Sequence, residues 1–123
     1  MTCNCNCGND QNILRMKARQ QGDSTAFTMT HKVNDTPTDI GEGYTLAVGF
    51  YDFAGNQLLK LTTDEGISRV DTGTYYVFLS HTVTEDWVGD ILLEFVIYNA
   101  DGSVADATEQ RCILPFEPRK LNN

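Results

Sequence analysis

The densest chemistry in the chain lies at its start, in Cys3-Asn4-Cys5-Asn6-Cys7. Three thiols at alternate positions can hold zinc or another soft metal, with Cys112 or a histidine as a fourth ligand. The spacing argues against a structural zinc site, because a single intervening residue strains the tetrahedral bite. The run better fits a docking arm with reduced thiols, loose multi-thiolate binding, or cross-links to a neighbouring chain. No metal or cofactor is therefore expected, and Cys3, Cys5 and Cys7 are the residues that would hold a metal if one bound. Cys112, beside Ile113 and Leu114, reads as a small buried hydrophobe. His31 is in phase with Phe27, Met29 and Val33, which places it at the edge of a core face with a hydrogen-bond partner. His81 follows a strand end. Either imidazole could serve as a base near neutral pH. No nucleophile stands in a motif that would use it, since G-x-S-x-G, C-x-x-C and H-E-x-x-H are all absent. Asp35 and Asp39, Asp64 and Glu65, and Glu85 and Asp86 pair up in loops. Paired carboxylates can bind calcium or cleave glycosides, but none stands in a D-x-[DN]-x-[DN]-G loop. Gly41-Glu42-Gly43 and Gly55 lack the strand, loop and helix context that cradles phosphate and read as turns. These patterns point away from an enzyme.

The elements that would position such residues are bounded by size and charge. The chain has 123 residues, enough for one domain. Its 41 % hydrophobic and 21 % charged residues describe a globular protein. Nine Lys and Arg against 17 Asp and Glu give a formal net charge of −8, which repels nucleic-acid backbones and anionic membrane surfaces. Neither partner is expected. No apolar run approaches the roughly 20 residues of a membrane span. Met1-Thr2-Cys3-Asn4 has neither a basic segment nor an apolar core, so no secretory signal is expected. The four cysteines then imply no extracellular disulfide framework.

Three zones follow along the chain. Residues 1–12 are a polar, Cys/Asn-rich arm. Residues 13–114 carry the apolar period of one β domain. Residues 115–123 form a tail in which Pro115 and Pro118 discourage a continuing ladder. Between Ala26 and Val33, and again between Tyr44 and Tyr51, apolar residues recur at every second position, the period of a half-buried strand. Thr74–Ser80 and Asp90–Asn99 are apolar on both faces and read as central strands, with Ile91, Leu93, Phe95 and Ile97 on the face opposite Glu94. Weaker strands are expected at Ile13–Arg19, Gln57–Thr62, Gly66–Val70 and Ser103–Leu114. Turns are expected at Gln20–Asp23, Asp52–Asn56, Thr72-Gly73 and Asn99–Gly102, each with a glycine suited to positive φ. At most one helical turn is expected near Thr84–Val88, with Thr84 as its cap; Gly89 and the β-branched residues beyond it are poor helix formers. Strands at this spacing predict an all-β fold, a sandwich or small barrel, and the reading adopted is a sandwich of seven to eight antiparallel strands with polar terminal arms.

Aromatic residues carry the functional expectation. Strands apolar on both sides, in a domain too small for a third layer, leave one aromatic face without internal cover, and such a face normally meets another chain. Tyr75, Tyr76, Phe78, Trp87 and Tyr98 are the expected interface residues, tyrosine and tryptophan being the usual anchors of interfaces. A carbohydrate- or host-surface-binding module is the main alternative. It would need a platform of Trp and Tyr on one face, and the chain has a single Trp. A small metal-binding protein built on Cys3, Cys5 and Cys7 is the second alternative.

The order of features also resembles a known family. Gly22-Asp23-Ser24-Thr25-Ala26-Phe27 leads into a strand, and Pro37-Thr38-Asp39-Ile40 precedes Tyr44–Val48, which runs on to Asp52-Phe53-Ala54-Gly55-Asn56. Gly89-Asp90-Ile91-Leu92-Leu93-Glu94-Phe95 and Ala100-Asp101-Gly102-Ser103 follow. Over residues 20–114 this is similar to the immunoglobulin-like sandwich at the N-terminus of upper baseplate proteins of tailed bacteriophages. Its marks are a G-D-x-x-x-F strand, a P-x-D-L/I corner, a strand ending in D-x-x-G and a late strand running into a D-G hairpin. The resemblance implies an immunoglobulin-like β-sandwich and a virion structural protein. It would be an adaptor or decoration subunit at a tail, baseplate, fibre attachment point or capsid. Its partners would be other virion structural proteins, in a homo- or hetero-oligomer. In that family the domain heads a longer polypeptide and lacks the Cys-rich start. In a free-standing copy, residues 1–12 and 115–123 are expected to act as docking arms.

Overall fold

The computed structural model describes residues 2–4, 13–107 and 111–119. In chain order its strands are β1 (Thr2–Asn4), β2 (Ile13–Arg15), β3 (Arg19–Gln20), β4 (Thr25–Val33), β5 (Thr36–Pro37), β6 (Thr45–Tyr51), β7 (Gln57–Thr62), β8 (Ile67–Asp71) and β9 (Thr74–Leu79). A four-residue helix, α1 (His81–Thr84), precedes β10 (Gly89–Tyr98), β11 (Val104–Ala107) and β12 (Arg111–Glu117). Seven of the strands have five or more residues: β4, β6, β7, β8, β9, β10 and β12. Among the described residues no helix is long and apolar enough to cross a membrane.

Two sheets enclose one core. The first has the order β1-β4-β9-β8 with β5 also beside β4; the second has the order β2-β12-β10-β6-β7 with β11 beside β10 and β3 beside β12. Period-two alternation decides what each strand buries. In β4, Phe27, Met29 and His31 turn inward; in β9, Tyr75, Val77 and Leu79 do so; in β10, Ile91, Leu93, Phe95 and Ile97. Apart from His31, these residues form a single apolar cluster with Leu46, Val48 and Phe50 of β6 and Cys112, Leu114 and Phe116 of β12. Phe27 meets Phe50 edge-on across the two sheets, ring centroids 6.5 Å apart. Trp87, in the loop after α1, lies 5.5 Å from both Phe50 and Phe116 and closes one end of the core. The architecture is all-β and sandwich-like, as the alternation predicts.

Several local expectations are corrected. Ile13–Arg19 is not one strand: β2 and β3 are separate, and both run parallel to β12 in an otherwise antiparallel sheet. The final strand does not stop at residue 114. It continues through Pro115 and the buried Phe116 to Glu117. The reason lies in the break between β2 and β3. Met16 N–H donates to Ile113 O and Gln21 N–H to Glu117 O, so odd-numbered residues of β12 aim their polar groups at that edge. Pro115, which has no N–H to give, falls opposite the gap, where no ladder bond is lost. The expected strand at Ser103–Leu114 is two, β11 and β12, which pair with opposite ends of β10. The helical turn lies earlier than expected: Thr84 ends α1 rather than capping it, and Ser80 holds the N-cap position. Residues 2–4 of the expected arm form β1, paired with β4 so that Cys3 stands opposite His31. Cys5 and Cys7 lie outside the described residues.

Candidate interaction surfaces

The five aromatics expected at an interface do not lie together. Tyr75 and Trp87, 3 % and 7 % exposed, belong to the core. Tyr75 faces inward because β9 alternates, and its hydroxyl accepts the Ile40 N–H at 3.0 Å, which gives a buried phenol its partner. Both residues are corrected from interface anchors to packing residues. Tyr76 and Phe78 take the opposite phase of β9 and remain 38 % and 49 % exposed on the outer face of the first sheet. Their cross-strand neighbours are small: Thr28 and Ser68 flank Tyr76, and Ala26 stands beside Phe78. Residues of that size cannot shield the rings, so two aromatic side chains stand side by side on an uncovered face. Tyr98 lies elsewhere, half-buried at the end of β10 in the second sheet, with Lys60 Nζ 5.3 Å from its ring centroid.

The loop at the far end of the first sheet is fixed by a charged and polar network. β4 turns into β5 through Asn34 (φ 52°) and Asp35 (φ 65°), the double positive φ of a type I′ hairpin. His31 is buried, and its Nδ1 donates to Thr38 O at 2.6 Å while Thr38 N–H donates back to His31 O. Asp39 Oδ1 accepts from Arg69 Nε at 2.9 Å and from Gly73 N–H at 2.7 Å. The Arg69 bond and then the Gly73 N–H hold its carboxyl below the usual carboxylate range. His31 and Asp39 therefore do structural work, and the expected P-x-D-I corner is the segment they tie down. At the other end, Asp52 accepts from Asn56 N–H and Ala54 N–H, locking the turn that carries the exposed Phe53. Asp90 accepts from both terminal guanidinium nitrogens of Arg15, Nη1 at 3.1 Å and Nη2 at 2.8 Å.

The remaining sequence candidates are scattered. His81 is an exposed residue at the start of α1, its N–H bonded to Ser24 Oγ. Asp64 and Glu65 sit in the turn between β7 and β8, and Glu85 and Asp86 in the loop after α1, all exposed. Cys112 is 1 % exposed within the core. Among the described residues no group of three or more His, Cys, Asp or Glu is arranged to hold a metal ion. Sequence reasoning passed over Gly49, Tyr51, Lys60 and Glu94, which meet on the outer face of the second sheet beside Tyr98. The available signal was the glycine within the otherwise well-formed strand Tyr44–Tyr51, a position where a backbone is left bare for something to approach. Compared with models of known protein families the chain matches none, and a search of curated proteins finds no match.

Proposed function

We propose that the chain is a structural, assembly-forming subunit, an immunoglobulin-like sandwich that joins copies of itself, and with them other structural proteins, in a tailed-phage particle. The observation that carries this reading is the uncovered pair Tyr76 and Phe78 on the outer face of the first sheet. Large exposed aromatics flanked by small residues are what an interface core buries. The immunoglobulin-like part of the reading is supported by strand order. β1-β4-β9-β8 opposite β12-β10-β6-β7 follows the order of that sandwich, with the first segment divided between the two sheets. The phage part, with a virion location and other structural proteins as partners, is supported by the resemblance of residues 20–114 to baseplate sandwich domains.

Area sets what else such an interface needs. Four strands about 4.8 Å apart and about six residues long present roughly 400 Å². A stable interface buries roughly 800 Å² per partner. The sheet face would supply about half, and the polar terminal arms expected from the sequence would supply the rest. The double variant Tyr76→Ser, Phe78→Ser tests this. Both side chains are outside the core, so the thermal midpoint should hold within a few degrees while association weakens by at least tenfold. Unchanged association of a folded double variant would contradict the proposal.

A further inference from the structure

The outer face of the second sheet carries chemistry that assembly through the first sheet leaves unused. Gly49 sits in the middle of β6, with Glu94 of β10 as its register partner on one side and Lys60 of β7 on the other. A glycine inside a strand costs roughly 0.5–1 kcal/mol relative to alanine. Here it has a steric use. A Cβ at Gly49 would stand 2.8 Å from both Cε2 and Oη of Tyr51, so only a bare backbone lets that ring fold back along its own strand. The Tyr51 hydroxyl then reaches Gln57 and donates to its Oε1 at 3.3 Å. Burial, followed by the nearby Glu94 carboxylate, pushes this phenol's pKa up, so it stays protonated.

Tyr51, Gln57, Lys60, Glu94 and Tyr98 surround a hollow of about 60 Å³ floored by Ala47, Gly49 and Val96. That is room for about two waters, far below the roughly 300–1,000 Å³ that encloses a small molecule. The hollow can receive the edge of a larger ligand lying across the sheet. Its rim offers a carboxylate acceptor, an ammonium donor, an amide and a phenol that do both, and two aromatic rings. Vicinal hydroxyls on an apolar C–H ring match that set. An anionic ligand is disfavoured by Glu94 and by the net charge of −8. We propose that this hollow is a subsite for a neutral saccharide chain, whose hydroxyls pair with Glu94, Gln57, Tyr51 and Lys60 while its C–H face lies on the tyrosine rings. The site is on the opposite side of the sandwich from Tyr76 and Phe78, so it stands or falls independently of assembly.

The test is a titration of the full chain, followed by amide NMR shifts, with maltohexaose, cellohexaose, chitohexaose and mannohexaose, each to about 10 mM, where a millimolar Kd saturates. Saturable shifts centred on Ala47–Tyr51 and Glu94–Tyr98 are expected with at least one of the four. Binding should weaken at least tenfold in both Tyr98→Ala and Glu94→Gln, and remain unchanged in Tyr76→Ala on the other face. Both tested side chains lie outside the core, and the spectrum itself reports whether each variant is folded. No saturable shift from any of the four saccharides would overturn the proposal, as would binding that survives both substitutions. Shifts centred on Tyr76 and Phe78 would also overturn it, by moving the contact to the assembly face.

Discussion

Gly73 and Asp39 are 34 positions apart in sequence and joined by one hydrogen bond, in a turn between β8 and β9 that only glycine fits. Gly73 has φ +67°, and a Cβ there would meet Thr38 N at 2.6 Å and His31 O at 2.8 Å, both backbone atoms that cannot move aside cheaply. Gly73→Ala should therefore cost on the order of 3 kcal/mol, combining left-handed strain with overpacking. Gly55, at φ +90° with nothing within 4 Å of its missing Cβ, is the comparison: Gly55→Ala should cost about 1 kcal/mol from backbone strain. Urea unfolding of the two variants measures the difference, and equal costs would contradict the steric account. Acid sensitivity belongs to this scale as well. Asp39, Asp52, Asp90 and Asp101 all have carboxyl pKa values lowered from 3.8 by bonds to Arg69, Asn56, Arg15 and Ser103 respectively. A group that is more acidic folded than unfolded stabilises the fold above its unfolded pKa and loses that contribution as pH falls through the folded one. Stability should be level from neutral pH down to about 4.5 and fall below about pH 4. Removing Asp39 by Asp39→Asn should flatten part of that acid limb in a denaturation series across pH. The glycines at positions 22, 55, 73 and 102 were readable as turn residues from their Asx, Thr or Gln neighbours. The Gly73–Asp39 contact was not, because no local pattern records which distant carboxylate a turn will meet.

The long strands were legible because each buries one face and so keeps a strict period of two: Phe27, Met29 and His31 in β4, and Ile91 to Ile97 in β10. The short elements were not. β2 and β3 together cover five residues and are held by a parallel edge to β12, so their identity comes from the neighbour rather than from their own pattern. Pro115 reads locally as a ladder breaker and becomes harmless only once the gap between β2 and β3 is known. Tyr75 and Tyr76 illustrate the same limit for the candidate surface. Adjacent tyrosines on a strand must point to opposite faces, but nothing local says which of the two is buried. Two predictions follow for elements. Deleting residues 1–12 removes β1 and leaves the Thr30–Lys32 edge of β4 unpaired, costing about 1–2 kcal/mol in urea unfolding while the sandwich persists; loss of the fold would show that β1 is essential to it. Thr84→Val should cost about 1–2 kcal/mol, because the fully buried Thr84 hydroxyl donates to Asp23 O at 2.8 Å and joins the loop after α1 to the start of β4. Thr84→Ser, which keeps the hydroxyl, should recover most of that loss.

At the scale of the whole molecule, a chain of charge −8 that joined copies of itself through the Tyr76 and Phe78 face, as proposed, would work against its own repulsion. Salt shortens the Debye length from about 14 Å near 0.05 M to about 4 Å near 0.5 M, so association should strengthen as salt rises. An interface held by charge pairs would weaken instead, and sedimentation at the two concentrations separates them. The central claim is that the Tyr76 and Phe78 face is buried between copies of the chain. The most direct measurement is the light-scattering mass of the full chain from about 5 to 500 µM, with and without reductant, a range that brackets a micromolar Kd. The account predicts a mass that climbs from the 13.7 kDa of one chain to a defined multiple, with the same curve in reductant because burial and not Cys3, Cys5 or Cys7 holds the copies together. A mass fixed at one chain across the whole range, or an oligomer that vanishes in reductant, would contradict it.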